Sequence, residues 1–138
     1  MKITVQTTIS ADRKKVWDYY TDPKHIVNWN FASDDWCCPN AENDLQVGGK
    51  YKARMEAKNK SFGFDFEATY NEIVGGEKFT YTMEDGREVN VSFEDLGDRT
   101  NVIITFDAEK ENPEEMQRDG WQSILNNFKS YVESKQNK

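Results

Sequence analysis

From Lys50 to Ala108 the chain alternates apolar and polar residues, interrupted only by short turn signals, and this pattern restricts it to an antiparallel meander. Tyr51, Ala53, Met55 and Ala57 oppose Lys50, Lys52, Arg54 and Glu56, while Phe62, Phe64, Phe66, Ala68 and Tyr70 oppose Gly63, Asp65, Glu67 and Thr69. Phe79, Tyr81 and Met83 follow a turn at Gly75-Gly76. Asp85-Gly86 is a two-residue hairpin signal, after which Val89, Val91 and Phe93 alternate, and a turn at Gly97-Asp98 leads to Val102, Ile104, Phe106 and Ala108. Parallel neighbours would need crossovers of about a dozen residues or more, and these connections are far shorter. With residues 2 to 9, where Ile3, Val5 and Ile9 alternate with Lys2, Thr4 and Gln6, the pattern predicts six strands, each apolar on one face.

That apolar face needs a cover, and the C-terminus supplies one. Asn112 suits an N-cap, Pro113 the first helical position, and Glu114 and Glu115 the positive end of a helix dipole, so a helix is predicted from Asn112 to Val132. Trp121, Ile124, Leu125, Phe128 and Val132 share one stripe, with Asp119, Gln122, Asn126, Lys129 and Glu133 pointing away. The first half of the stripe differs from the second. Gln117 sits in its middle and Gly120 at its edge, where large apolar side chains are expected, so this end is under-filled. Between the first two strands, Ser10 can cap a helix carrying Val16, Trp17 and Tyr20, and Asp22-Pro23 can start a second short one carrying Ile26, Val27 and Trp29. From Asn30 to Leu45 no period survives, and the segment reads as a long loop around the island Trp36-Cys37-Cys38-Pro39.

The expected architecture is therefore α+β: a curved six-stranded antiparallel sheet wrapped around a long C-terminal helix, with two short helices between strands one and two. A length of 138 residues fits one domain spanning 1–138. Acidic residues outnumber basic ones 25 to 18, giving a net charge of −7, which disfavours nucleic acid and anionic membranes as partners. The chain begins directly on a strand pattern without a secretory signal, and no stretch approaches the roughly 18 apolar residues of a membrane span, so a cytoplasmic location is expected. Adjacent Cys37 and Cys38 and a single histidine assemble no recurring metal-ligand spacing, so neither a metal nor a cofactor is expected.

Few ionisable groups fall on the apolar face. Strict parity with Tyr70 sends Glu72 inward, where burial would raise its pKa toward acid or base work, but a bulge near Ile73 would turn it outward. Tyr70 and Tyr81 point inward either as core or as polar anchors, and a buried Gln117 amide requires a partner, whether backbone, water, tyrosine or ligand. Cys37 and Cys38 lack a neighbouring base and read as packing positions, and His25 reads as a surface helix residue. Trp29 and Trp36 flank the long loop either as core plugs or as the rim of a pocket.

The order of these elements, with Trp17, Pro23, Ile26 and Trp29, Asp44-Leu45-Gln46-Val47-Gly48-Gly49, Tyr70-Asn71-Glu72-Ile73, Asp85-Gly86-Arg87 and Gly120-Trp121, resembles the bacterial relatives of the activator of heat-shock protein 90 ATPase. These belong to the START-like, or helix-grip, superfamily. The resemblance implies a cavity between sheet and C-terminal helix, which relatives use to hold lipids, hormones, flavonoids or polyketide intermediates. The eukaryotic activator carries a further N-terminal domain for which this length leaves no room. Residues and resemblance together predict a small apolar or aromatic ligand lined by Tyr51, Met55, Phe64, Phe66, Tyr70, Tyr81, Phe93, Gln117, Trp121 and Ile124. Two alternatives stand beside it: a module interacting with a chaperone, and a cyclase- or hydrolase-type enzyme using Glu72 or a cavity tyrosine.

Overall fold

The computed structural model describes residues 2–136. Its elements run β1 (Lys2–Ile9), α1 (Arg13–Thr21), α2 (Pro23–Ile26), β2 (Trp36–Asn43), β3 (Lys50–Ala57), β4 (Gly63–Val74), β5 (Lys78–Met83), β6 (Glu88–Asp95), β7 (Thr100–Asp107) and α3 (Glu114–Gln136). The strands form one antiparallel sheet in the order β1-β7-β6-β5-β4-β3-β2, a continuous meander from β2 to β7 closed by the N-terminal strand at its far edge. The sheet curls around α3, the helix-grip arrangement expected from the pattern, but with seven strands rather than six.

The additional strand is β2, in the segment expected to be a loop. Its pairing with β3 shifts register between Cys37 and Asn40, and this bulge erases the period-two signal. Pro39 is tolerated because β2 is an edge strand, where a missing N–H breaks no ladder. The turn into β3 needs its glycines. Gly48 has φ +85°, and a Cβ on Gly49 would lie 2.2 Å from the Asp44 carbonyl oxygen.

The helices also start and stop a little differently from the sequence signals. Asp12, not Ser10, caps α1, its Oδ1 accepting from the Lys15 N–H at 2.8 Å. Asp22 caps α2, which ends at Ile26, so Trp29 lies in the turn beyond, its indole N–H donating to the Tyr19 carbonyl at 3.0 Å. In α3 the first helical residue is Glu114, and the Asn112 side-chain amide donates to the Glu109 carboxylate instead of capping the helix.

The core lies where α1, α2 and the C-terminal half of α3 meet the concave face of β5, β6, β7 and β1. Phe128, Leu125 and Val132 are essentially inaccessible, as are Trp29, Phe79, Phe106, Ile3 and Ile9. Phe128 packs edge-on against Trp29 and Tyr20, with ring centroids 4.7 and 5.0 Å away. The sheet's strands thus present alternate residues to a helix laid across them, and α1 closes the remaining side.

A cavity under the first half of the C-terminal helix

Where α3 carries Gln117, Gly120, Trp121 and Ile124, a cavity of about 740 Å³ opens between helix and sheet beside the stack of Trp121 on Phe106. Its walls are aromatic and apolar. Tyr51 and Met55 come from β3, Phe64, Phe66 and Tyr70 from β4, Phe79, Tyr81 and Met83 from β5, Ile104 from β7, and Tyr20 and Trp29 from the α1–α2 region. Exposed Phe64 and Met116 stand at its mouth, together with Asp65, Glu67, Glu84, Asp85, Glu109 and Arg87. The neighbouring Glu67 carboxylate holds the Glu84 carboxyl above its usual range, while Lys50 holds Glu67 below it.

Nine of the ten residues anticipated for the site line this space: Tyr51, Met55, Phe64, Phe66, Tyr70, Tyr81, Gln117, Trp121 and Ile124. Phe93 does not. It is screened by α1, whose Trp17 and Tyr20 rings sit 5.1 and 5.6 Å from it, both edge-on. Phe62, expected under the helix, is in the β3–β4 turn and is exposed, packing edge-on against Trp36 at 5.9 Å.

Gln117 is buried as expected, but its amide is already satisfied by the loop that leads into α3. Its Oε1 accepts from the Glu109 N–H at 2.8 Å, and its Nε2 donates to the carbonyls of Asn112 at 2.8 Å and Glu109 at 3.2 Å. Gln117 therefore shapes the roof rather than offering a free polar group to the cavity. The tyrosines differ from one another. Tyr70 donates to Asn43 Oδ1 at 2.7 Å, and Asn43 in turn donates to the Thr21 carbonyl at 2.7 Å, tying β4 through β2 to α1. Tyr51 accepts from the Asn30 side-chain amide at 3.2 Å.

Other proteins share this fold. The family model described as activator of Hsp90 ATPase homolog 1-like protein matches residues 10–133. The chain belongs to this family. The solution structure of the AHSA1-like protein from Aeromonas hydrophila is 40% identical and superposes with a TM-score of 0.93, covering 100% of this chain and 96% of that one. A solution structure from Cytophaga hutchinsonii is 45% identical with a TM-score of 0.83, covering 99% and 94%. A crystal structure from Chromobacterium violaceum is 25% identical with a TM-score of 0.84, covering 96% of each chain. No curated protein matches.

Within this AHSA1-like fold the remaining candidates fall outside the cavity. The bulge between Tyr70 and Glu72 shifts the register of β4 against β5, so Glu72 is exposed and its carboxylate lies 3.7 Å from Lys78 Nζ. A cyclase or hydrolase mechanism using Glu72 in the cavity is thereby removed. Cys38 is buried in β2, its thiol 3.5 Å from the Asn40 carbonyl and pushed up to about 11 by burial, which leaves it a neutral packing group. His25 stacks on Tyr19 at 4.0 Å, and its Nδ1 shares a hydrogen bond with the Tyr131 hydroxyl at 2.7 Å, joining α2 to α3. Among the described residues, no cluster of three or more His, Cys, Asp or Glu is placed to hold a metal ion, and no helix is long and apolar enough to cross a membrane.

Sequence reasoning missed Tyr20. Its place in the stripe Val16-Trp17-Tyr20 marks it as core, but α1 ends beside the cavity, so its ring packs on Trp29 and Phe128 while the residue also lines the hollow. A hydroxyl at the end of an otherwise apolar stripe was the available signal. Trp29 and Trp36 both line the cavity, Trp29 from the core side and Trp36 near the exposed rings of Phe62 and Phe64.

Proposed function

We propose that this protein binds a small apolar or aromatic molecule in the cavity between the sheet and the first half of α3, and that it acts as a carrier or sensor rather than through acid–base chemistry. The observation that carries this reading is a space of about 740 Å³ walled mainly by aromatic and methionine side chains, within the usual size range for sites that enclose organic ligands. Affinity would come chiefly from burying apolar surface, at about 25 cal/mol per Å². With Gln117 engaged by backbone, tyrosine hydroxyls are the polar groups on the aromatic walls that can orient the guest.

Native mass spectrometry of freshly purified protein, scanned for a co-purified molecule of reproducible stoichiometry, tests the reading directly. A second arm uses Gly120, which lines the cavity and where an added Cβ would meet no atom within 4 Å. Gly120→Leu should preserve or raise the unfolding temperature, because leucine is the better helix former, and weaken binding of the neutral dye Nile red at least tenfold by filling the roof. A wild type that binds neither a co-purified molecule nor Nile red, or a variant that binds the dye as well as wild type, would overturn the proposal.

A second reading rests on the family's description and on the exposed aromatic rings of Phe62 and Phe64 beside Trp36: a surface that engages a chaperone. Stimulation of an Hsp90 ATPase that is lost in Phe62→Ser and retained in Gly120→Leu would favour that reading over the first.

A further inference from the structure

The four tyrosines around the cavity are not equivalent. Tyr70 has given its hydroxyl hydrogen to Asn43, and Tyr51 accepts from Asn30. The hydroxyls of Tyr20 and Tyr81 hydrogen-bond to no protein group among the described residues, although Tyr81 is only 5% exposed. Neither oxygen is sealed in protein without a partner, because every fully enclosed side-chain oxygen or nitrogen among the described residues has one. Both therefore open onto the cavity they line. They enter from different elements, Tyr20 from α1 and Tyr81 from β5; both rings neighbour Phe79, at 6.0 and 5.8 Å, and the two phenols are close enough to act on each other electrostatically.

Burial pushes both phenols well above their ordinary pKa, so each is a neutral O–H donor throughout the physiological range. Tyr51 also keeps a hydroxyl hydrogen that no protein group among the described residues accepts, but its oxygen is held by Asn30; of the four, Tyr20 and Tyr81 are the two hydroxyls with no such hydrogen bond of either kind, and two such donors match one oxygen with two lone pairs. The charge around the cavity narrows the choice. Arg87 is the one cation among the described lining residues; its Nε is 2.7 Å from Asp85 and its Nη1 lies 3.9 Å from Glu109. A carboxylate or phosphate in the interior would have no free counter-charge and would pass five carboxylates, Asp65, Glu67, Glu84, Asp85 and Glu109, to get there. A neutral oxygen escapes both costs.

We infer that Tyr20 and Tyr81 form a paired donor site for a neutral carbonyl oxygen, so that the guest is an apolar or aromatic ketone, lactone or quinone-like molecule rather than a fatty acid or other anion. This deepens the carrier reading and rests on it.

The test is a matched pair of neutral probes of one shape, 2-acetylnaphthalene and 2-isopropylnaphthalene, titrated by calorimetry into wild type, Tyr20→Phe, Tyr81→Phe and the double variant. Loss of one neutral hydrogen bond predicts about three- to tenfold weaker binding of the ketone per hydroxyl removed, with the hydrocarbon held within about twofold. In wild type the carbonyl stretching band of the bound ketone should move to lower frequency, and each substitution should move it back. Each variant removes only an oxygen atom and should fold; where one does not, the infrared band in wild type decides alone. Binding of both probes with no selective loss of the ketone, or an unshifted carbonyl band, overturns the donor pair and leaves the carrier standing. Binding of neither probe by wild type overturns both. Tighter binding of 2-naphthoate than of the ketone also overturns the donor pair, since it would place an anion where these charges exclude one.

Discussion

The two halves of α3 belong to one helix and face one sheet, yet they do opposite things. From Leu125 to Val132 the helix is core: Leu125, Phe128 and Val132 are inaccessible, and Phe128 is gripped by Trp29 and Tyr20. From Gln117 to Ile124 it is a roof: Trp121 and Ile124 are half-buried, Gly120 has no side chain, and the cavity opens between it and much of the sheet beneath. The difference is one of side-chain supply. A curved sheet leaves more volume than one helix about 10–12 Å across can fill, and α1 and the turn after α2 deliver Trp17, Tyr20 and Trp29 toward one end of the hollow. Stability is thereby concentrated at one end of α3, and freedom to accommodate a guest at the other.

The most severe way to break this contrast is to truncate one aromatic ring from each half. Phe128→Ala should cost about 3–5 kcal/mol of unfolding free energy, because it opens a void in close-packed surroundings. Trp121 stacks on Phe106 at 4.2 Å with an interplanar angle of 15°, but it already borders open space, so Trp121→Ala enlarges an existing cavity and should cost about 1–2 kcal/mol. Denaturant unfolding of both variants reads the difference. Equal losses would mean that the halves are packed alike.

Gln117 sharpens the same comparison on a smaller scale. Its three hydrogen bonds to Glu109 and Asn112 hold the loop against the start of α3, so Gln117→Leu should destabilise by about 1–3 kcal/mol through unpaired backbone groups. Binding of a neutral hydrophobic probe should stay within about twofold. A large loss of binding with unchanged stability would show that the amide serves the guest and not the loop.

How much of this was legible in the sequence follows the range of the interactions involved. Period-two alternation marked β3 to β7 because each strand has one wet and one dry face, and the stripe on α3 marked which residues look inward. The bulge that turns Glu72 outward was visible as a conflict between parity and the following Ile73. Strand β2 was hidden, since the Cys37–Asn40 bulge and Pro39 destroy the only local signal an edge strand emits. Gln117 was legible as an inward amide, and its partners lie only five and eight residues upstream, close enough that a local backbone interaction was the simplest solution. Tyr20 and Phe93 were misjudged for a shared reason: which side of a core residue meets the hollow is decided by where α1 lands on the sheet, and no period along the chain records that.

The smallest effect concerns the joint that fixes the core half of α3 to α2. His25 stacks on Tyr19, shares a hydrogen bond with the Tyr131 hydroxyl and is held below its ordinary pKa of 6.5, first by desolvation and then by Lys24 and Lys135, against the opposing pull of Asp22 and Asp18. Because the folded pKa lies below the unfolded one, the unfolded chain binds more protons in the interval between them. The stabilisation is then fully present above about pH 6.5 and is lost as pH falls through the folded value. The ring is only partly buried, so the effect on overall stability is slight, and it should appear as fraying of α2 from α3 before global unfolding. Protection of the amides around residues 25–28 and 131 against exchange, measured relative to the intrinsic rate at each pH, should fall between pH 7 and about pH 5 in wild type, with the Gln117–Ile124 roof unaffected. His25→Gln, which keeps a hydrogen-bonding side chain without a titrating ring, should remove that pH dependence. Protection that falls equally in the roof would show that the two halves of the helix are coupled, and the division drawn between them would fail.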